Sequence, residues 1–150
     1  MTRDEARILI QERLGAPAGG AEGAVVVTVP VAQWQDFARF AREALGCHYL
    51  SFLTAVDWKE EGLEVVARIE NLDDNFSLTL KARLGPDRTR CPSLVAVYRG
   101  ADWMERECYD MFGIGFDGHP DLRRILLPQD WEGHPLLKSY AVDTPHPPYR

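Results

Sequence analysis

Three alternating runs separated by four-residue polar turns constrain this chain more than any other feature. Leu50, Phe52, Thr54, Val56 and Trp58 alternate with Ser51, Ala55 and Asp57. After Lys59-Glu60-Glu61-Gly62 come Leu63, Val65, Ala67 and Ile69. After Leu72-Asp73-Asp74-Asn75 come Phe76, Leu78, Leu80 and Ala82. A period of two places alternate side chains on one face of a strand. Short turns between such runs join the strands antiparallel. The spacing predicts a three-stranded meander with one apolar face to be covered.

The covering elements are legible on either side. Thr2-Arg3-Asp4-Glu5 reads as a capping box, and Ala6, Leu9, Ile10 and Leu14 recur at helical spacing up to Gly15. Residues 16–23 form a Pro/Gly/Ala linker, and 24–29 read as a short buried strand. Pro30 opens a second helix with the apolar stripe Val31, Trp34, Phe37, Ala38, Ala41, Ala44 and Leu45, closed by Gly46. Residues 85–92 are turn-rich. Asp102 reads as the N-cap of a third helix, with Glu105 at its third position and Gly113 as its left-handed stop. The expected fold class is α+β: helix, strand, helix, three-stranded antiparallel meander and covering helix, then an extended C-terminal tail. The division is an α+β scaffold domain over residues 1–113 and an extended partner-binding tail over 114–150. The tail holds six prolines and no clean period.

Composition excludes several classes. With 150 residues, 45% hydrophobic content, four Trp and six Phe, the chain builds a real core and is not disordered throughout. No apolar run of about 18 residues is present, so no membrane span is expected. The charged start, with Arg3, Asp4, Glu5 and Arg7, is unlike a secretory leader. A net charge of −6 argues against a nucleic-acid binder. Cys47, Cys91 and Cys108 lie far apart, at neither zinc nor iron–sulfur spacing, and suit reduced thiols in the cytosol.

The groups that can carry chemistry lie after residue 100. Asp102, Arg106 and Asp110 stack at i, i+4 on the third helix, beside Glu105 and Glu107. Carboxylates there can do acid–base work; the plainer reading is an ion-pair ladder. Cys108 is a poor nucleophile beside those carboxylates. Gly113-Ile114-Gly115 is too short for a phosphate loop and lacks a following Lys. Asp117-Gly118-His119-Pro120 recurs as Glu132-Gly133-His134-Pro135, two tight turns that each present an imidazole. One reading is a metal site of His119, His134 and Asp110; the other is a pair of structural turns. Trp131, beside Asp130, is either a plug for the loop or an interface anchor. Arg123 and Arg124 precede Ile125-Leu126-Leu127-Pro128, an apolar run that this domain or another chain must cover. Residues 144–150 are Pro-rich and read as an extended arm.

The stretch Glu105-Arg106-Glu107-Cys108-Tyr109-Asp110-Met111-Phe112-Gly113-Ile114 is highly specific. It continues through Phe116, Gly118-His119-Pro120, Leu122-Arg123-Arg124-Ile125-Leu126 and Pro128. It ends with Asp130-Trp131, Gly133-His134-Pro135-Leu136, Lys138 and Tyr140. This block strongly resembles the C subunit, the thirty-kilodalton-type subunit, of NADH–quinone oxidoreductase, respiratory complex I. The family signature runs from E-R-E to His119, Arg123, Ile125 and Leu126. The resemblance implies a non-catalytic structural subunit of the peripheral arm, on the cytoplasmic side of the membrane. It implies no flavin, iron–sulfur cluster or NADH site in this chain; partner subunits carry those groups. The tail is then expected to pack on the D subunit, which with the B subunit frames the quinone pocket. Glu105, Arg106, Glu107, Asp110, His119, Arg123, Arg124, Asp130, Trp131 and His134 are the expected signature and partner-interface residues, with no catalytic or metal-binding residue among them. Related subunits occur in energy-converting hydrogenases and in coenzyme F420-type and ferredoxin-dependent complexes, and the signature alone separates these poorly.

Overall fold

The Thr2 hydroxyl accepts the Glu5 N–H at 3.2 Å, and the Glu5 carboxylate accepts the Thr2 N–H at 2.7 Å. This reciprocal cap starts α1 (Arg3–Leu14), and Gly15 ends it with φ of 70°. The computed structural model describes residues 1–21 and 24–143; the arm expected over 144–150 lies outside them. The expected strand is β1 (Val25–Thr28). Pro30 leads into a single 3-10 turn, Val31–Gln33, and α2 (Trp34–Glu43) begins only after it. The predicted stripe faces inward except near its end: Val31, Trp34, Phe37, Ala38, Ala41 and Leu45 are buried, whereas Ala44, at the C-cap of α2, is exposed.

The meander forms as β2 (Tyr49–Asp57), β3 (Leu63–Asn71) and β4 (Phe76–Gly85), with β3 antiparallel to both neighbours. β1 joins it beyond β4, in parallel, so the sheet order is β1-β4-β3-β2. The inward residues of β3 and β4 are those expected.

In β2 the expected face is corrected. The register slips between Leu50, opposite Ile69, and Phe52, opposite Arg68. One extra residue at Ser51 moves every later side chain to the other face. Leu50, Leu53 and Ala55 are therefore buried, while Phe52 is 39% and Trp58 43% exposed.

Residues 85–92 are more ordered than a run of turns. They hold β5 (Arg90–Pro92), which pairs in parallel with β6 (Gly115–Asp117). α3 (Ala101–Phe112) is the crossover between them, and it packs along β2, with the Cys108 thiol 4.0 Å from the Leu53 carbonyl. Ile114 and Phe116 belong to the one core cluster that joins the three helices to the sheet. The core thus extends beyond residue 113, and the tail leaves the body after β6. Gly100, not Asp102, occupies the α3 N-cap position, with no side-chain cap.

Candidate functional site

α3 carries two fully buried carboxylates, Glu105 and Asp110. Buried carboxylates need several donors to offset lost hydration. Asp110 has four. Its Oδ1 accepts Arg124 Nη1 at 2.7 Å. Its Oδ2 accepts the backbone N–H groups of Ile125, Leu126 and Leu127 at 3.2, 2.8 and 2.9 Å. Burial by itself would raise this carboxyl's pKa. The Arg124 guanidinium and the three N–H donors outweigh it and hold the group below its usual value. Arg124 continues the network, donating through Nη2 to the carbonyls of Trp131 and Gly133 at 2.8 and 2.9 Å. The tail is thereby folded around one ion pair.

Arg106 does not form the ladder expected at i, i+4. Its Nε and Nη2 donate to the carbonyls of Arg123 and Arg124 at 3.1 and 3.0 Å. Asp102 turns to His119 and Asp110 to Arg124. At the partly buried Arg124 carbonyl a missing donor costs more than a lost surface pair, which favours the tail partner over the helical one.

The two Gly-His-Pro turns share a left-handed glycine. Gly118 and Gly133 have φ of 87° and 84°. Each following imidazole is held against α3. His119 Nε2 lies 3.0 Å from both the carbonyl and the Oδ1 of Asp102. Its Nδ1 accepts the Asp121 N–H at 3.0 Å, so the proton sits on Nε2. His134 Nδ1 donates to the Asp110 carbonyl at 3.0 Å. Leu136 N–H, from the tail, reaches the Met111 carbonyl at 2.9 Å, while the helix's own stop, Gly113, donates its N–H to the Tyr109 carbonyl at 2.9 Å. The tail thus supplies donors to the open C-terminal turn of α3. Gly113 is required twice over: its φ is 74°, and a Cβ there would stand 2.8 Å from the His134 ring. The imidazoles bind α3 eight residues, about 12 Å, apart, so His119, His134 and Asp110 do not converge. Among the described residues no group of three His, Cys, Asp or Glu is placed to hold a metal.

Glu105, expected beside a capping Asp102, instead points into the core. Oε2 accepts the Ser93 hydroxyl at 2.7 Å and Oε1 the Leu94 N–H at 2.6 Å. Desolvation raises its pKa from 4.5 to about 7, against the two hydrogen bonds that favour the anion. The folded state therefore binds the proton more tightly than the unfolded chain does. That stabilisation is complete below pH 4.5 and is lost as pH rises through about 7, a decline of roughly 3 kcal/mol. Glu105→Gln keeps the Leu94 acceptor and cannot ionise, so this decline is expected to vanish from its stability measured by urea unfolding between pH 4.5 and 7. Asp110 works in the opposite sense: its contribution is present above 3.8 and is lost as pH falls through its lowered value.

The remaining predicted residues are peripheral to this network. Arg123 is exposed and pairs with Asp121 at 2.9 Å. Glu107 and Asp130 are exposed. Trp131 is half-buried; its backbone N–H donates to the Pro128 carbonyl at 3.0 Å. Leu127 packs on the core, while Leu126 is 62% and Leu136 51% exposed. Burial pushes the Cys47 thiol up to about 12 and those of Cys91 and Cys108 higher still. For Cys108 burial leads, and the carboxylates of Glu107 and Glu105 add to it. Ser93 and Gln129 escaped the sequence reading. Gln129 both accepts the Arg124 N–H and donates to its carbonyl, and neither residue carries a local spacing signal.

Comparison with known proteins agrees with the signature. The family described as respiratory-chain NADH dehydrogenase, 30 Kd subunit, matches residues 27–146. The C subunit of NADH-quinone oxidoreductase from Rhodobacter capsulatus is 43% identical over 146 residues, covering 93% of this chain and 73% of that one. The same subunit from Chlorobium phaeobacteroides is 46% identical over 114 residues, covering 73% and 69%. Among solved structures, a trypsin-resistant fragment of Nqo5 superposes with a TM-score of 0.71 at 25% identity, over 81% of this chain and 100% of the fragment. A chain of the membrane-bound sulfane sulfur reductase, an archaeal respiratory membrane complex, gives 0.78 at 26% identity, over 93% and 85%. Among the described residues no helix is long and apolar enough to cross a membrane. With its signature helix and tail in the arrangement described and most of its length matched, this chain belongs to the 30-kilodalton subunit family of the respiratory-chain NADH dehydrogenase.

Proposed function

We propose that this chain is a non-catalytic structural subunit of the peripheral arm of a proton-translocating NADH–quinone oxidoreductase, held on the cytoplasmic side of the membrane. In this reading the α+β body is a rigid mount, and the segment after β6 is the docking element. It holds the two quinone-site partners, the D and B subunits, in register. Flavin and iron–sulfur clusters belong to other subunits, and this chain carries none. The observation that supports the reading is where the signature's polar groups are engaged. Asp110, Arg124, Arg106, His119 and His134 all bond to the chain's own backbone or to each other. A signature used in this way positions a tail. It leaves Leu126 and Leu136 facing outward, as a permanent apolar interface requires.

Arg106→Ala removes two charge-assisted bonds to the tail and is expected to cost about 1–3 kcal/mol. Assembly should weaken first. Complex purified intact from the variant should keep its quinone reductase rate per complex. A lower rate in fully assembled complex would contradict the structural reading. The same body in an archaeal respiratory complex supports a second reading, the equivalent subunit of a related energy-converting complex. The much higher identity to quinone-oxidoreductase subunits favours the first.

A further inference from the structure

Outside the α3–tail network, Arg42 on α2 is anchored on two sides. Its Nη1 donates to the Val97 carbonyl at 3.1 Å, and its guanidinium lies 5.6 Å from the Tyr98 ring centre. Tyr98 is itself fixed by its hydroxyl, which donates to the Cys47 carbonyl at 2.7 Å. Among the described residues, the other N–H groups of Arg42 have no hydrogen-bond partner. Arg42 lines a cleft of about 570 Å³ between the end of α2 and residues 95–99. Arg39, one turn earlier on α2, and Arg99 from the facing loop also line it; Glu43 is the one acid in the lining. Asp36, outside the cleft, reaches Arg39 only at 3.5 Å across exposed surface.

Three arginines thus line one concavity of a chain whose net charge is −6. Like charges one helical turn apart are mutually unfavourable, and the fold gains nothing by adding a third. A low-dielectric concave wall focuses their field. Guanidinium forks match the oxygens of phosphate and carboxylate groups, and a fixed fork loses less entropy on binding. The cleft lies within the size range of small-ligand sites. We propose that this cleft is a binding site for a phosphate-bearing anion, either a soluble phosphate ester or the headgroup of an anionic lipid. Arg42 is the preset donor, and Arg39 and Arg99 close on the remaining oxygens. A compact dianion suits it better than a partner's acidic side chains, because three arginines line one concavity against a single acid.

The test titrates the full-length chain with inorganic pyrophosphate by calorimetry at constant ionic strength. It adds sedimentation with vesicles of phosphatidylcholine alone or with phosphatidylglycerol. Saturable pyrophosphate binding is expected. It should weaken about tenfold or more in R39Q/R99Q, whose two altered side chains are exposed, and tighten in Glu43→Gln. The melting temperature without anion should hold in both variants, which separates lost binding from lost folding. Binding to phosphatidylglycerol vesicles, competed by pyrophosphate, assigns a lipid headgroup; pyrophosphate binding without vesicle binding assigns a soluble phosphate compound. No saturable binding of either, or equal binding by R39Q/R99Q, overturns the proposal. If neither probe binds and R39Q/R99Q is lost from the assembled complex, the occupant is an acidic partner surface and the proposal is likewise overturned.

Discussion

Replacing Asp110 with alanine is expected to destabilise the chain by about 3–5 kcal/mol, the range for breaking a buried ion pair from one side. The substitution leaves the Arg124 guanidinium with no counter-charge where only its edge meets solvent. It also orphans the N–H groups of Ile125, Leu126 and Leu127, which share Oδ2. Each buried orphan adds its own desolvation cost. A domain of this size has about 5–15 kcal/mol of stability in total, so the variant sits at the edge of folding. Urea unfolding measures the loss. Adding Arg124→Met removes the stranded charge, so D110A/R124M should be more stable than Asp110→Ala alone. A loss below about 1 kcal/mol in Asp110→Ala would show that the pair behaves as an exposed one.

Gly62→Ala is expected to be comparably severe for a different reason. Gly62 has φ of 87° and ψ of −166°, a region open almost only to glycine and costing another residue about 1–3 kcal/mol. A Cβ there would also lie 2.1 Å from the Gly85 carbonyl carbon and oxygen and 2.5 Å from Pro86 nitrogen. These are backbone atoms and have no rotamer to change. Relief requires parting the β2–β3 turn from the end of β4. That parting breaks the pairing of Leu63 with Gly85 and strains the Arg83 contacts to Glu61 and Glu64. Gly85→Ala is the control: its φ is 79°, yet nothing lies within 4 Å of its Cβ. It should lose only about 1–2 kcal/mol, the left-handed backbone cost alone. Equal losses in the two variants, read from urea midpoints, would remove the steric part of this account.

The strands β3 and β4, the capping box of α1 and the Gly113 stop are local: each depends on residues a few positions apart, and period or capping chemistry exposes them. The face of β2 is not local. Its bulge is set by pairing with β3, and no residue near Ser51 announces it. The place of β1 beside β4 likewise depends on a contact across about 50 residues. The i, i+4 spacing of Asp102, Arg106 and Asp110 was a true pattern with the wrong partners. A local rule cannot know that Arg124, His119 and two tail carbonyls will compete for those side chains. The Gly-His-Pro repeat was legible as two turns, and both glycines do take left-handed φ. That both imidazoles clamp one helix needed the fold. Family membership was readable because the signature side chains make mutually dependent contacts: Asp110 alone holds Arg124 and three backbone groups.

The central claim is that α3 holds the tail so that its outward side chains dock on neighbouring subunits. It is tested most directly by affinity purification of the tagged chain from detergent-solubilised membranes, with Leu126→Asp/Leu136→Asp alongside. Both leucines are exposed, so the variant should fold and melt as the parent does. The parent is expected to bring down flavin- and iron–sulfur-containing subunits, and the double variant to lose them. Equal recovery of those subunits by the folded double variant would contradict the claim.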